Sequence, residues 1–368
     1  MSPKRLGSLL TLVVTLLGCT SDSPSSGTPG GGTPGQGTPT VPATILTVMT
    51  QNMDDGTDFA PIFGAVTLDT LTTVVADTYS EVQASNIPER AATLAGEIAA
   101  AQPEVVGLQE VSLWRTGPPG GPATTVTFDA LQALLDALAQ RGAHYQALAV
   151  LTNFTTEAPS ALGLTIGYTD RDVVLARSDL PPADFQVTNV QAHHFTVHLS
   201  LPNPLLGSPP VPRGWIAVDG TRRGTPFRFV TTHLEGVSVA VQLAQALELL
   251  QGPLHTTTPV VIAGDFNVNA ASPDRAETVA YRSFLEEGFA DAWPTLVPND
   301  PGFTWPLHGE DPFTPVTTPF QRIDLVLFQG ALTARGIDRI GETAADRTPS
   351  GLWPSDHAGV AASFQVGP

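Results

Sequence analysis

Residues 260–267 read VVIAGDFN, an aliphatic run followed by Gly264, Asp265, Phe266 and Asn267. A short β-branched run that ends at glycine and asparagine is typical of a strand buried inside a sheet. A carboxylate and an amide placed directly after such a strand lie at the edge of the sheet, where α/β proteins build their sites. The segment therefore predicts a buried strand over 260–263 with functional groups at its end.

The same arrangement recurs along the chain in both directions from this segment. The other polar residues next to predicted strands are Asn52 after 44–50, Glu110 after 105–108, His233 after 227–231, Asp324 within 323–328, and Asp356 with His357 before 360–364. Carboxylate and amide oxygens are the ligands that Mg²⁺ prefers. Imidazoles move protons or stabilise charge near neutral pH. The series therefore indicates a site for a hard divalent cation and a phosphate.

Helices alternate with these strands. Apolar residues recur at helical spacing, and the pattern predicts helices over 87–101, around 131–138 with Gly142 as the stop, over 239–251 and over 278–287. Asn86 is the predicted N-cap of the first of them. Further strands are predicted over 172–176, 195–199 and 215–218, and the last of these pairs with 227–231 around a Gly- and Arg-rich turn. We expect one α/β domain over residues 44–368.

Composition excludes several kinds of chemistry. The 368 residues include 17 basic and 35 acidic side chains, giving a net charge of −18, so the net field does not attract nucleic acid. Cys19 is the only cysteine, which excludes a disulfide and a cysteine nucleophile in the domain. Lys4 is the only lysine, which excludes P-loop and Schiff-base chemistry.

The N-terminus is typical of an export signal. Lys4 and Arg5 precede a short apolar run over 9–17, and LLGC at 16–19 resembles a bacterial lipobox. We expect residues 1–18 to be a lipoprotein signal peptide, Cys19 to carry lipid, and the Ser/Thr/Gly/Pro-rich residues 19–43 to be a flexible tether. An ordinary cleaved signal is the alternative. Since Thr20 rather than Asp follows the cysteine, the outer membrane is the preferred location of this exported, envelope-anchored protein.

The ordered series of polar motifs resembles the endonuclease/exonuclease/phosphatase superfamily. The motifs are Asn52, Gln109-Glu110, Thr232-His233, Gly264-Asp265-Phe266-Asn267, Arg322-Ile323-Asp324 and Ser355-Asp356-His357. Members include DNase I-like nucleases, apurinic endonucleases, neutral sphingomyelinases and inositol-phosphate phosphatases. The resemblance implies a DNase I-like, four-layer α-β-β-α sandwich with two mixed β-sheets. It also implies cleavage of phosphoester bonds that depends on a divalent metal.

The same resemblance implies a metal site. Glu110 is similar to the principal Mg²⁺ ligand of the family, and Asn52 to the neighbour that orients metal or phosphate. Asp356 is similar to a residue that supports metal binding. Mn²⁺ and Ca²⁺ are alternatives to Mg²⁺.

The catalytic residues are implied in the same way. Asp265 and Asn267 resemble the pair that positions the attacking water and a phosphate oxygen. His357 resembles the histidine beside the scissile phosphate, oriented by Asp324. Whether Asp265 or His357 is the general base stays open.

A second histidine is also implied. His233 occupies the position of the histidine that is proposed, in DNase I-like and sphingomyelinase members, to protonate the leaving group. Asp170, in the dipeptide Asp170-Arg171, is the nearest match to the acidic residue that supports it.

The bond that is cleaved stays open between a phosphodiester and a phosphomonoester. The substrate stays open between nucleic acid, a phospholipid or sphingomyelin-type phosphodiester and a sugar phosphate, and no protein partner is implied. The apolar segment 199–212 is either a membrane-touching tip or a loop folded back on the body.

Arg222, Arg223 and Arg228 either meet phosphates or offset the acidic surface, and Trp305 either lines the cleft or packs in the core. The alternative to an enzyme is a non-catalytic binding lipoprotein on the same fold.

A small histidine cluster precedes that apolar segment. His194 and His198 share one face of the predicted strand region, which is compatible with a metal site or with a solvated polar face.

Overall fold

The computed structural model describes residues 43–205, 207–309, 314, 316 and 318–367. Its domain, Ala43–Pro368, is one unit. The predicted signal peptide, the lipid attachment at Cys19 and the tether up to residue 42 lie outside the described residues. Within the described ranges, no helix is long and apolar enough to cross a bilayer.

The strands in chain order are β1 (Ile45–Asn52), β2 (Val105–Gln109), β3 (Leu113–Gly117), β4 (Thr125–Asp129), β5 (Tyr145–Pro159), β6 (Thr165–Arg177), β7 (Phe185–His194), β8 (Leu199–Ser200), β9 (Pro210–Val211), β10 (Gly214–Arg222), β11 (Thr225–His233), β12 (Val260–Asp265), β13 (Ala290–Asp291), β14 (Asp324–Gln329), β15 (Leu332–Ile340) and β16 (Gly359–Val366). The helices are α1 (Ala60–Gly64), α2 (Leu68–Ala84), α3 (Ile87–Ala101), α4 (Ala130–Gln140), α5 (Val239–Gln251), α6 (Val279–Glu286) and α7 (Ala292–Leu296), with a 3₁₀ turn at Ala344–Asp346.

Fourteen of these strands form two mixed sheets, and β8 pairs with β9 in a separate two-stranded sheet. In the described part of the chain, the larger sheet has the order β15-β16-β1-β2-β6-β3-β4 with β5 paired to β6, and the other has the order β13-β14-β12-β11-β10-β7. The pairs β1–β2 and β11–β12 are parallel, and the remaining pairs are antiparallel. The fold class predicted from the sequence is confirmed.

Three apolar clusters fill the interfaces between the layers. The first, which includes Leu94 and Ile98 of α3, lies between the larger sheet and helices α2, α3 and α4. The second lies between the two sheets and includes Val48 and Phe229. The third includes Leu249 of α5 and packs α5 and α6 against the second sheet. Burying both faces of both sheets explains why their central strands read as continuous apolar runs.

Buried polar contacts fix the two sheets relative to one another. Gln109 accepts a hydrogen bond from the Thr50 hydroxyl at 3.0 Å and donates one to the Thr231 hydroxyl of the other sheet at 3.0 Å. Gly107 lies opposite the same threonine, where a Cβ atom would come within 2.2 Å of its Oγ1. The close approach therefore requires glycine at that position.

The register of the strands brings their polar ends to one edge. Asn52 pairs with Gln109 across the parallel strands β1 and β2. In the second sheet Asp265 pairs with His233 on one side and with Asp324 on the other. Residues that are far apart in sequence thus become neighbours at the edge where β1, β2, β11 and β12 end.

The predicted strand over 195–199 is wrong. β7 ends at His194, and the backbone N–H of Thr196 donates to both carboxylate oxygens of Glu248 at 3.2 and 3.0 Å, which takes it out of sheet pairing. His194 and His198 therefore do not share a strand. Asn86 is the N-cap residue of α3, as predicted. Its side chain makes no capping hydrogen bond, because its backbone is left-handed with φ 48° and its amide donates to the Glu89 carboxylate.

Candidate active site

The residues singled out in the sequence lie around the Asp265 carboxylate. Its Oδ2 accepts a hydrogen bond from Asn52 Nδ2 at 3.1 Å and lies 3.5 Å from Nε2 of His233 and 3.9 Å from Nε2 of His357. Glu110 completes the group, because its Oε1 lies 4.0 Å from the same His233 nitrogen. Side chains from both sheets therefore face one small volume.

Asp265 is held by the turn that follows β12. The backbone N–H of Asn267 donates to Asp265 Oδ1 at 2.8 Å, and Asn267 adopts a left-handed conformation with φ 50° that asparagine tolerates better than most residues. Asn267 is fixed in turn by donating from Nδ2 to the carbonyl of Leu234 at 3.0 Å. Burial raises the pKa of Asp265 to about 6. The carboxyl group can therefore change its protonation state near neutrality.

Glu110 lies directly after β2 at a second left-handed position, with φ 53°. Its Oε2 accepts a hydrogen bond from the backbone N–H of Asp55 at 3.2 Å. Burial, followed by the neighbouring Asp356 carboxylate, raises the pKa of Glu110 to about 8. A carboxylate placed among other carboxylates in this way is stabilised by a bound cation.

His357 and Asp324 form a tight pair. His357 Nδ1 lies 2.9 Å from Asp324 Oδ2, which leaves Nε2 directed at Asp265 and at Asp356, whose Oδ1 is 3.8 Å away. Burial lowers the pKa of His357, but the Asp324 and Asp356 carboxylates outweigh burial and raise it well above its usual value. The two carboxylates therefore favour the protonated form of the ring.

Trp305 borders this pair. Its indole N–H donates to Asp356 Oδ2 at 3.0 Å, and its ring centroid lies 6.3 Å from that of His357. Of the two interpretations of Trp305, the structure supports the one in which it lines the cleft.

The expected support of His233 by Asp170 is wrong. His233 Nδ1 lies 2.6 Å from a guanidinium nitrogen of Arg213, and the nearest carboxylate on that side is Asp172 at 4.0 Å. Asp170 instead pairs with Arg213 at 3.4 Å. Since a guanidinium only donates, Nδ1 of His233 must accept, and the ring hydrogen is on Nε2.

The charge of His233 follows from the same contacts. Burial, Arg213 and His357 together lower the pKa of His233 well below its usual value. The ring is therefore a neutral hydrogen-bond donor, which differs from the protonated acid that the resemblance implied.

Several residues of the site were not identified from the sequence. Arg213, Asp172 and Asp55 lie at or beside it, and Tyr168 donates from its hydroxyl to Asp55 Oδ2 at 2.6 Å. Asn153 donates to both Asp170 and Asp172, at 3.3 and 3.0 Å. The spacing of two between Asp170 and Asp172 is the signal in the sequence that could have shown both facing the same side of a strand.

The three arginines of the hairpin lie away from the site. Arg222 binds Glu104 at 3.0 Å, Arg223 binds Asp184 at 3.1 Å, and Arg228 binds Asp219 at 2.6 Å. Each guanidinium already has a carboxylate partner at the opposite end of the strands from His233. The interpretation in which they meet substrate phosphates is not supported.

The donor set fits a hard divalent cation. The atoms of Glu110, His233 and Asp265, and those of Asp265, Asp324 and His357, lie within 4.8 Å of one another in two groups. Both imidazole rings present N–H groups here, so the carboxylates are the groups left to hold a cation. Asp324 Oδ1 is buried and has no hydrogen-bond partner among the described residues. Carboxylate and amide oxygens around a small volume match the ligands of Mg²⁺, Mn²⁺ or Ca²⁺ better than those of a soft metal.

One curated relative matches part of the chain. Tyrosyl-DNA phosphodiesterase 2 of Rattus norvegicus is 28% identical over 163 residues, which are 42% of each protein. The chain thus matches less than half of that relative's length.

Solved structures match the whole fold at low sequence identity. An endonuclease/exonuclease/phosphatase family protein from Bacteroides thetaiotaomicron is 14% identical, with 89% of this chain and 100% of that chain covered and a TM-score of 0.55. A mannosyl-6-phosphatase of Bacteroides thetaiotaomicron is 15% identical, with 87% and 99% covered and a TM-score of 0.52. A humanized TDP2 of D. rerio is 17% identical, with 88% and 99% covered and a TM-score of 0.52. These likenesses show the fold.

A family model gives the most extensive sequence match. The model of the Endonuclease/Exonuclease/phosphatase family matches residues 82–357, which is most of the chain and includes Glu110, Asp265 and His357. The chain belongs to the endonuclease/exonuclease/phosphatase family.

Proposed function

We propose that this protein is a divalent-metal-dependent phosphoesterase that hydrolyses phosphodiester bonds at the cell envelope. Family membership supports metal-dependent phosphoester hydrolysis as the type of reaction. The observation that carries the proposal is that Asp265 belongs to both groups of closely spaced polar atoms, one with Glu110 and one with His357. In this proposal Asp265 lies beside both the cation and the reacting phosphate.

Glu110, Asn52 and Asp356 are the residues that we assign to the metal. Glu110 offers an ionisable oxygen, Asn52 lies beside it through its contact with Asp265, and Asp356 faces the site next to His357. A bound Mg²⁺ supplies neutralisation of phosphate charge and stabilisation of the leaving oxygen. The raised pKa of Glu110, about 8, means that cation binding releases a proton below that pH.

Asp265 is the general base in this proposal. With a pKa of about 6 it is largely ionised at neutral pH and can accept a proton from an attacking water. Asn267 positions Asp265 through its backbone N–H. His357 is already protonated, so its role is to donate a hydrogen bond to a phosphate oxygen, with Asp324 fixing the ring. Of the two alternatives, Asp265 and His357, we therefore propose Asp265 as the base.

His233 has a different role from the one expected. As a neutral ring that accepts from Arg213, it presents an Nε2–H group towards Asp265 and the reacting phosphate. We assign it a hydrogen bond to a phosphate oxygen or to the leaving oxygen, rather than full transfer of a proton.

Export and lipid attachment at Cys19 remain part of the proposal, supported by the N-terminal sequence. The charged start, the short apolar run and the LLGC motif support a lipoprotein signal. Mass spectrometry of the processed N-terminus tests this attachment, and a Cys19 that carries no lipid would contradict it.

The relatives do not define the substrate. Their names refer to a DNA-linked phosphodiester in one case and to a sugar phosphomonoester in another. We propose a phosphodiester, from nucleic acid or from a phospholipid.

Hydrolysis assays with controlled metal content test this function. After treatment with EDTA, the purified protein should show no turnover of bis(p-nitrophenyl) phosphate, and added Mg²⁺ or Mn²⁺ should restore it. A parallel panel of plasmid DNA, RNA, sphingomyelin and phosphatidylinositol phosphates identifies the substrate, and p-nitrophenyl phosphate measures monoesterase activity. Turnover that persists in EDTA, or no turnover of any of these compounds with any divalent metal, would contradict the proposal.

A further inference from the structure

Three segments near the site contain no charged residue and no histidine. They are FAPIFGAVTL at 59–68, APSALGL at 158–164 and LSLPNPLLGSPPVP at 199–212. The whole chain carries 35 acidic and 17 basic residues, and these three segments contribute none of them.

The structure brings these segments together. Asn203 is buried and donates from Nδ2 to the carbonyls of Phe63 and Ala65 at 3.0 and 2.8 Å, which ties the third segment to the first. The backbone N–H of Ala161 donates to the carbonyl of Thr72 at 2.8 Å, which places the second segment against α2. The apolar segment 199–212 is therefore folded back on the body, as one of the two interpretations of the sequence expected.

Apolar side chains point outward from all three segments. Val66 is 63% exposed and Leu68 is 59% exposed in the first, Leu162 is 50% exposed in the second, and Leu205 is 42% exposed in the third. Exposed apolar side chains on segments that lie together are typical of an interaction site.

An apolar cavity opens among the same segments. Its volume is about 160 Å³, and its lining includes Phe59, Ile62 and Phe63 of the first segment, Ala158 of the second and Pro209 of the third. Trp114 and Tyr168 form the inner wall, with ring centroids 4.7 Å apart. Such a lining is suited to a hydrocarbon group, which gains free energy by leaving water.

The cavity is adjacent to the proposed metal site. The hydroxyl of Tyr168 donates to Asp55 at 2.6 Å, and the backbone N–H of Asp55 donates to Glu110 at 3.2 Å. The segment 199–212 also leads directly into Arg213, which binds His233. The uncharged surface and the active site therefore share one edge of the domain.

We infer that residues 59–68, 158–164, 199–205 and 207–212 form a lipid face, which rests on an uncharged or zwitterionic lipid surface while the cavity holds one hydrocarbon chain. Nucleic acid does not fit this surface, because the segments offer no cation to a phosphate backbone. Anionic lipid does not fit the protein as a whole, because the net charge is −18. The inference specifies the substrate class of the proposed function as lipid phosphodiesters, and in that respect alone it rests on the proposed function.

Hydrogen–deuterium exchange of the full chain tests the lipid face directly. Addition of phosphatidylcholine vesicles should slow exchange in peptides that cover the three segments and leave peptides from α5 and α6 unchanged. If the protein sediments with vesicles and these segments are not protected, the inference is wrong. Protection by an oligonucleotide and not by vesicles would also overturn it, in favour of nucleic acid.

A matched pair of double variants separates lipid docking from catalysis. Leu68→Glu with Leu205→Glu should weaken partition to the vesicles at least about tenfold, because two apolar side chains would no longer leave water on docking. Glutamate at Leu68, the first residue of α2, suits the helix N-terminus, so the fold should persist. The control combines Leu247→Glu with Leu285→Glu, at residues 41% and 37% exposed on α5 and α6, and should partition like the wild type.

The same variants distinguish the two proposals. Both should hydrolyse a soluble aryl phosphodiester at the wild-type rate, since none of the four leucines touches the site. Equal partition of both double variants would contradict the lipid face. If the wild type docks on vesicles through these segments but hydrolyses nothing in any metal, the lipid face stands and the proposed hydrolase function fails.

Discussion

Asp265→Asn should lower kcat for a phosphodiester by at least about 10³-fold, within the range expected for loss of a general base. The Asp265 Oδ2 atom faces two N–H groups, those of Asn52 and His233. An asparagine amide would direct a third N–H group at these donors, or would turn and lose the hydrogen bond from the Asn267 backbone. In either orientation, no carboxylate remains to accept the proton of an attacking water. Steady-state kinetics with bis(p-nitrophenyl) phosphate at saturating Mg²⁺ measures the loss.

A matched control shows that the effect belongs to the site. Asp219→Asn changes another carboxylate of the same sheet, which binds Arg228 on the hairpin away from the site. It should keep near-wild-type kcat and cost about 1 kcal/mol or less of stability, because the ion pair is partly exposed to solvent. Circular dichroism should show both variants folded. Undiminished turnover by folded Asp265→Asn would overturn the assignment of Asp265 as base.

His357→Gln should also lower kcat, by about 10²- to 10⁴-fold, because it removes a buried cation that faces the reacting phosphate. Asp324→Asn should lower kcat less, since in this account Asp324 acts by holding and charging the His357 ring through the 2.9 Å contact. The double variant should be scarcely slower than His357→Gln alone, because the second change removes support from a ring that is already absent.

The double-mutant cycle distinguishes this positioning role from an independent one. If the two losses in kcat multiply fully, Asp324 contributes to the reaction by a route that does not pass through His357. Thermal unfolding of each variant separates a catalytic loss from a loss of fold, since both side chains are buried.

Much of this site could be predicted because its residues follow buried strands. Asp265, Glu110 and His233 each come directly after, or at the end of, an apolar run, and parallel pairing places the carboxyl ends of such runs at one edge. Helices α3 and α5 have the bounds that their apolar periodicity predicted. Where local periodicity and tertiary burial agree, the sequence alone is sufficient to predict the bounds of an element.

Other elements could not be predicted because their conformation depends on tertiary burial rather than on the local sequence pattern. Helix α2 has the sequence LDTLTTVVADTYSEVQA, whose threonines and valines favour strands, yet Leu71, Val75, Tyr79 and Val82 pack in the core at helical spacing. Strand β5 is largely exposed and irregular, and its pairing with β6 shifts register twice, so it shows no clean alternation in sequence.

Contacts between distant segments were the least predictable part of the site. Arg213 reaches His233 because it directly precedes β10, which pairs with β11 so that Trp215 lies opposite Thr232, and this single contact changes the expected protonation of the histidine. Whether Asp170 or Asp172 lies nearer to His233 depends on the position of β6 relative to β11. The sequences of these two strands do not determine that position.

Calorimetric titration of Mn²⁺ into metal-free protein is the most direct measurement of the central claim, that these side chains form one metal-dependent hydrolytic centre. The wild type should bind Mn²⁺ with release of protons at pH 7, because the pKa of Glu110 is raised to about 8 without a cation. Glu110→Gln should weaken this binding by at least about tenfold, within the range that a lost carboxylate ligand or its support produces, and should reduce diester hydrolysis in parallel. Equal Mn²⁺ affinity and equal turnover in the wild type and Glu110→Gln would contradict the account.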